Sequence, residues 1–159
     1  MTDTNHSAFD ATGQASDQMF EVLEATGDDV VAIRVGTSTR SGFDELYDLL
    51  VEKSREHGTV HLYEEAPNWT LTAYLSNVHG IVPDLRDGPN FDIGRYAAVG
   101  DSRWVKLLYY QWMAIAPVWP VTPDEMRLYS TDERRSALEW VKNGDECSNS
   151  SHTERGGGR

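Results

Sequence analysis

Between Phe20 and Asn143 the spacing of apolar residues changes period several times, and this alternation restricts the fold more than any other feature of the chain. Phe20-Glu21-Val22-Leu23-Glu24 and Val30-Val31-Ala32-Ile33-Arg34-Val35 read as strands. Thr26-Gly27-Asp28-Asp29 between them is a turn cluster of hairpin length, so the domain opens with a β-hairpin. The repeat then lengthens. Phe43, Leu46, Tyr47, Leu50 and Val51 recur at three-and-four spacing, which predicts an amphipathic helix capped by Ser41, with Asp44 in its first turn and Gly58 as its stop.

Thr59 to Tyr63 alternates as a short strand, and Glu64 to Asn68 reads as the loop into a second helix. That helix starts near Trp69, carries Leu71, Tyr74, Leu75, Val78 and Ile81, and ends before Pro83. Arg95 to Gly100 reads as a buried strand entering a tight turn, after which Asp101 or Ser102 caps a third helix reaching about Ala116. Met126 to Tyr129 is the last strand. Ser130-Thr131-Asp132-Glu133 then has capping-box spacing, and Ala137, Leu138, Trp140 and Val141 form the apolar face of a fourth helix. A hairpin followed by repeated strand-helix units predicts an α/β fold: a mixed, largely parallel sheet with right-handed crossovers, starting with a β-hairpin and flanked by four α-helices.

Residues 1–18 and 144–159 are rich in Ser, Thr, Asn, Asp and Gly with few apolar groups, so they read as tails around one domain over 19–143. Acidic residues outnumber basic ones 26 to 14 and give a net charge of −12, which repels phosphate backbones and excludes nucleic acid as an expected partner. The same acidic, lysine-poor surface suits concentrated salt, where the self-repulsion is screened. With no run of 18 apolar residues and a polar, acidic start, the expected location is the cytoplasm. Cys147 is the single cysteine and reads as an exposed bystander, ruling out an internal disulfide or a cysteine metal cluster.

The sequence offers no catalytic constellation. Gly-x-Ser-x-Gly, paired carboxylates in apolar surroundings and a glycine-rich phosphate loop are all missing. His57 and His61 have four-residue spacing, but Gly58 breaks the helix between them. His61 with Glu64 and Glu65 could be imagined as a metal or general-base site beyond a strand end; solvated loop acids are the simpler account. No catalytic residue, metal or cofactor is therefore expected.

Arg95-Tyr96-Ala97-Ala98-Val99-Gly100-Asp101-Ser102-Arg103-Trp104 joins a basic residue, a buried strand, a Val-Gly-Asp turn and a tryptophan. Met19-Phe20-Glu21-Val22, Trp69-Thr70-Leu71 and Ala137-Leu138-Glu139-Trp140-Val141 surround it in order. Together they resemble the SpoIIAA-like family, relatives of the STAS domain that share structural character with lipid-binding CRAL-TRIO folds. STAS anti-sigma-factor antagonists carry a phosphorylatable serine where the second helix starts, whereas this chain reads Ala66-Pro67-Asn68-Trp69-Thr70, which puts that switch in doubt. Thr70 or Thr72 there is better explained as a capping hydroxyl.

The third helix stands out, because Trp104, Val105, Leu107, Leu108, Tyr109, Tyr110, Trp112, Met113 and Ile115 leave it little polar face. One reading folds Tyr109, Tyr110 and Trp112 under Pro117 to Val121 as ordinary core. A second, which the resemblance to lipid-binding folds favours, makes the second and third helices the walls of a pocket for a small hydrophobic or lipid-like ligand, lined by Trp69, Tyr74, Val78, Trp104, Leu108 and Trp112. A third makes the surface a docking face for a protein partner or a homodimer. Arg103 and Lys106 are the helix's only basic groups, so direct membrane contact is disfavoured.

Overall fold

The right-handed rule for parallel crossovers and the strand order together determine how this chain layers. The computed structural model describes residues 19–37, 39–80, 91–118 and 122–145. In chain order the elements are β1 (Phe20–Val22), β2 (Val30–Val35), α1 (Arg40–His57), β3 (Thr59–Glu65), α2 (Leu71–Gly80), β4 (Asp92–Val99), α3 (Arg103–Ile115), β5 (Glu125–Tyr129) and α4 (Arg134–Asn143). The five strands form one sheet in the order β1-β2-β3-β4-β5. β1 pairs antiparallel with β2, and all later pairs are parallel. The predicted hairpin start, largely parallel sheet and four helices are all present.

Each parallel connection advances one strand in the same direction, so right-handedness puts α1, α2 and α3 on one face. Val31, Ile33, Val60, Leu62 and Ile93 meet Phe43, Leu46, Leu50, Ala73, Val105 and Leu108 there. Burying each such aliphatic side chain contributes about 1.5–3 kcal/mol. The opposite face is left to α4, whose Ala137, Trp140 and Val141 cover Val30, Ala32, Tyr63, Ala97 and Val99.

Several boundaries differ from the sequence reading. Thr39, in extended conformation, caps α1 through its hydroxyl, which accepts the Gly42 N–H at 3.1 Å, so Ser41 lies inside the first turn and Asp44 beyond it. β1 stops at Val22 because the chain turns to let the Thr26 hydroxyl bond both the N–H and the C=O of Ala32. β3 continues through Glu65, so the two acids read as loop residues are strand residues on opposite faces. Ser102 is the α3 cap, its hydroxyl accepting from Trp104 N–H at 3.2 Å and donating to the Trp69 carbonyl at 2.8 Å. Gly58 ends α1 at φ +83°, a conformation that favours glycine. Both tails, apart from Gly144 and Asp145, lie outside the described residues, as do Ile81, Pro83 and Cys147.

The β3–β4 pairing slips between Val60 and Leu62, so that Gly94 and Arg95 together oppose His61. The slip leaves the Arg95 N–H without a ladder partner, and His61 Nδ1 accepts it at 3.0 Å. Burial and the Arg95 charge lower the His61 pKa, which keeps the ring neutral and able to accept. Arg95 itself reaches the end of α4, donating to the Val141 and Lys142 carbonyls at 2.9 and 3.2 Å. It thereby satisfies carbonyls that a helix end leaves open, with a charge matched to the helix dipole.

Two variants test this corner. A Cβ on Gly94 would fall 2.7 Å from His61 Cε1 and 2.8 Å from Thr59 Cγ2, so Gly94→Ala is expected to cost about 1–3 kcal/mol in urea unfolding. Arg95→Ala removes two charged hydrogen bonds and is expected to cost about 1.5–3 kcal/mol, with Arg95→Lys recovering part of it. Wild-type stability in either variant would refute the corresponding role.

Candidate functional site

A cavity of about 110 Å³ opens on the three-helix face between α1 and α3. Phe43, Leu46, Tyr47 and Leu50 of α1 form one wall, and Leu108 and Trp112 of α3 form the other. Leu62 and Glu64 of β3, Ile93 and Tyr96 of β4 and Met126 of β5 make the floor, with Phe91 and Pro123 at the rim. Period-two alternation brings Leu62 and Glu64 to this face together. Phe43, Tyr47 and Phe91 stack in series, with ring centroids 6.2 and 5.6 Å apart.

Glu64 is the one carboxyl among the described lining residues. Its Oε2 accepts the Tyr96 hydroxyl at 3.0 Å. Desolvation raises its pKa, and the Tyr96 bond offsets this only in part. The Tyr96 phenol is held protonated, pushed well above its ordinary range first by burial and then by the neighbouring carboxylate.

Glu65, one residue on, shows what the chain does with a buried carboxylate that it compensates. It is only 5% exposed, on the α4 face. Its Oε1 accepts the Tyr63 hydroxyl at 2.7 Å and lies 3.4 Å from Arg134, while Oε2 accepts from Arg34 at 3.2 Å. Arg34 also bonds Glu21, so the group ties β1, β2, β3 and α4. His61 joins neither acid, being committed to the Arg95 N–H with Asp29 3.8 Å away. Among the described residues no three His, Cys, Asp or Glu side chains converge to hold a metal ion.

The six residues expected to line a pocket between the second and third helices fall into separate places. Leu108 and Trp112 line the α1–α3 cavity. Trp69 is buried beside a void of about 10 Å³, the size of one water, which also touches Glu64, Tyr96 and Trp112. Its indole N–H has no hydrogen-bond partner. Tyr74 and Trp104 pack against each other across α2 and α3 at 5.7 Å, and the Tyr74 hydroxyl bonds Gln111 at 2.7 Å. The Val78 side chain lies outside the described residues. Phe43, Tyr47, Phe91 and Tyr96 were not read from the sequence as lining residues, and Glu64 was weighed only with His61 and Glu65; the signal that could have placed Glu64 here is the period-two step from Leu62.

The other aromatic and apolar residues of α3 divide between core and surface. Tyr109 is buried, its hydroxyl on the Met126 carbonyl at 2.9 Å. Tyr110 is 63% exposed, with Leu107 and Met113 also outward. The Thr70 hydroxyl accepts the Ala73 N–H at 3.3 Å and so caps α2. Asp101 accepts both the N–H and the hydroxyl of Thr131, which joins the turn before α3 to the turn before α4 and lowers the Asp101 pKa. No described helix is long and apolar enough to cross a membrane.

A family model described as SpoIIAA-like matches residues 30–142. A search of curated proteins found no significant match to the chain.

The Glu64 carboxyl gives a pH test. Its folded pKa is raised above 4.5, so the folded state binds more protons than the unfolded chain between those values and stability falls as pH rises through that window. Glu64→Gln removes this loss and keeps an acceptor for Tyr96. Urea unfolding should find the variant more stable than wild type at pH 7, with the advantage closing below pH 4.5. A wild type that is more stable at pH 7 would show the carboxylate to be compensated.

Proposed function

The chain belongs to the SpoIIAA-like family, and we propose that it works by binding a small hydrophobic or lipid-like molecule in the cavity between α1 and α3, without transforming it. The observation that carries this reading is the lining itself. Ligand sites are concave and mostly apolar with a few placed polar groups. Among the described residues the lining is aliphatic and aromatic, with polar groups at Glu64, Tyr96, Tyr47 and the Trp112 indole. A binding role is supported by the chemistry of these groups: the Tyr96 phenol holds its proton, and Glu64 is the single carboxyl among the described lining residues.

A specific observation favours a second reading, a regulatory module that docks on a protein partner or a second copy of the chain. Leu71 and Leu75 of α2, Leu107, Tyr110 and Met113 of α3, and Val118 are 46–83% exposed. Exposed apolar residues on α2 and α3 suit an interface. None of them lines the cavity, so the two readings predict effects at different residues.

Native mass spectrometry of protein purified from its source separates them. A bound small hydrophobic mass, lost in Trp112→Ala and kept in Trp104→Ala, is the result expected of the cavity reading, because Trp112 lines the cavity and Trp104 packs on Tyr74. A ligand-free dimer that dissociates in the double variant Tyr110→Ser, Met113→Gln would overturn it in favour of the docking face.

A further inference from the structure

Two adjacent carboxylates on β3 receive opposite treatment, and the difference identifies what the cavity is built to hold. Glu65 is given a tyrosine hydroxyl and two arginines. Glu64 points to the other face and receives one neutral donor, Tyr96. Among the described residues it makes no ion pair, and no Lys, Arg or His of theirs lines the cavity. Glu64 is half-buried, and a carboxylate partly withdrawn from water without a positive partner carries a desolvation penalty that one neutral hydrogen bond offsets only in part. Its Oε1 makes no hydrogen bond with any described residue, and the group borders the cavity.

The walls around it are electron-rich. Phe43, Tyr47, Phe91, Tyr96 and Trp112 all contribute to the lining. Aromatic faces attract cations, and the attraction strengthens when water is excluded. The chain's net charge of −12 raises the local concentration of positive solutes further. A bare metal ion would find one carboxylate and no other hard ligand set, so the walls fit an organic cation with an apolar body.

We propose that the cavity selects an amphipathic amine: an alkyl or aryl ammonium whose charged head meets Glu64 and whose apolar body lies against Phe43, Tyr47, Phe91 and Trp112. This rests on the cavity being the binding site. A carboxylic acid of the same shape is rejected because its anion would face Glu64 at close range. A neutral alcohol enters the same space but leaves the carboxylate without a counter-charge.

The test is isothermal titration calorimetry at pH 7.5 of the full chain with hexylamine, 1-hexanol and sodium hexanoate. Hexylammonium is expected to bind about tenfold or more tightly than hexanol, and hexanoate not to bind. Glu64→Gln is expected to remove about tenfold of the hexylammonium affinity and to leave hexanol unchanged, which also shows that the variant keeps its cavity. If hexanol or hexanoate binds wild type as well as hexylammonium does, or if Glu64→Gln leaves the preference intact, the amine assignment fails while the cavity reading stands. If none of the three binds, the cavity reading itself fails, and the amine assignment with it.

Discussion

Because each parallel connection advances one strand and turns with the same hand, three helices share one face of the sheet and the other is left to α4 alone. The three do not cover their face evenly. α1 has 18 residues and would span about 27 Å, whereas α2 has 10 and spans about 15 Å. The cavity lies where α1 and α3 face each other over β3, β4 and β5, and no described residue of α2 lines it. The cavity thus follows from strand order, which sets α1 and α3 on one face, before any side chain is chosen for chemistry.

The same constraint explains the residues by which the family is recognised. α4 arrives last and is the sole described helix on its face, and contacts from other elements fix its two ends. Arg95 does this at its C-terminal end, and Asp101 does it near its N-terminal end through Thr131. A Cβ on Gly100 would fall 3.0 Å from the Ala66 carbonyl oxygen, Ser102 caps α3 and holds the Trp69 carbonyl, and Trp104 packs on Tyr74. The run from Arg95 to Trp104 is therefore a signature of how the layers are joined. It establishes the architecture and is silent about the ligand.

That division accounts for how much could be read in advance. Element type and order were legible because they depend on local periodicity, which Phe43 to Val51 and Val30 to Val35 display plainly. The capping box at Ser130 and Glu133 was legible for the same local reason. The cavity was not, because its walls come from α1 and α3, which are distant in sequence, and its floor from three strands. Aromatic density drew attention to α3 and α2, but density does not distinguish Trp112, which lines the cavity, from Trp104, which packs on Tyr74, or Tyr110, which faces water. Glu64 and Glu65 were misplaced in a loop because two consecutive acids weaken a strand pattern. Each carboxyl does meet a tyrosine hydroxyl on its own face, Tyr96 for Glu64 and Tyr63 for Glu65.

The contrast across β3 bears on function more directly than the aromatic helix does. Alternation separates Glu64 from Glu65 by the thickness of the sheet, so neither can share the other's partners. On the α4 side the carboxylate joins a closed network of Tyr63, Arg34 and Arg134, and its charge helps to bind four elements together. On the cavity side a leucine or glutamine at the same position would avoid the desolvation cost and keep the strand. Among the described residues the Glu64 carboxyl has only Tyr96 beside it, and under the proposed reading its counter-charge comes from what enters the cavity.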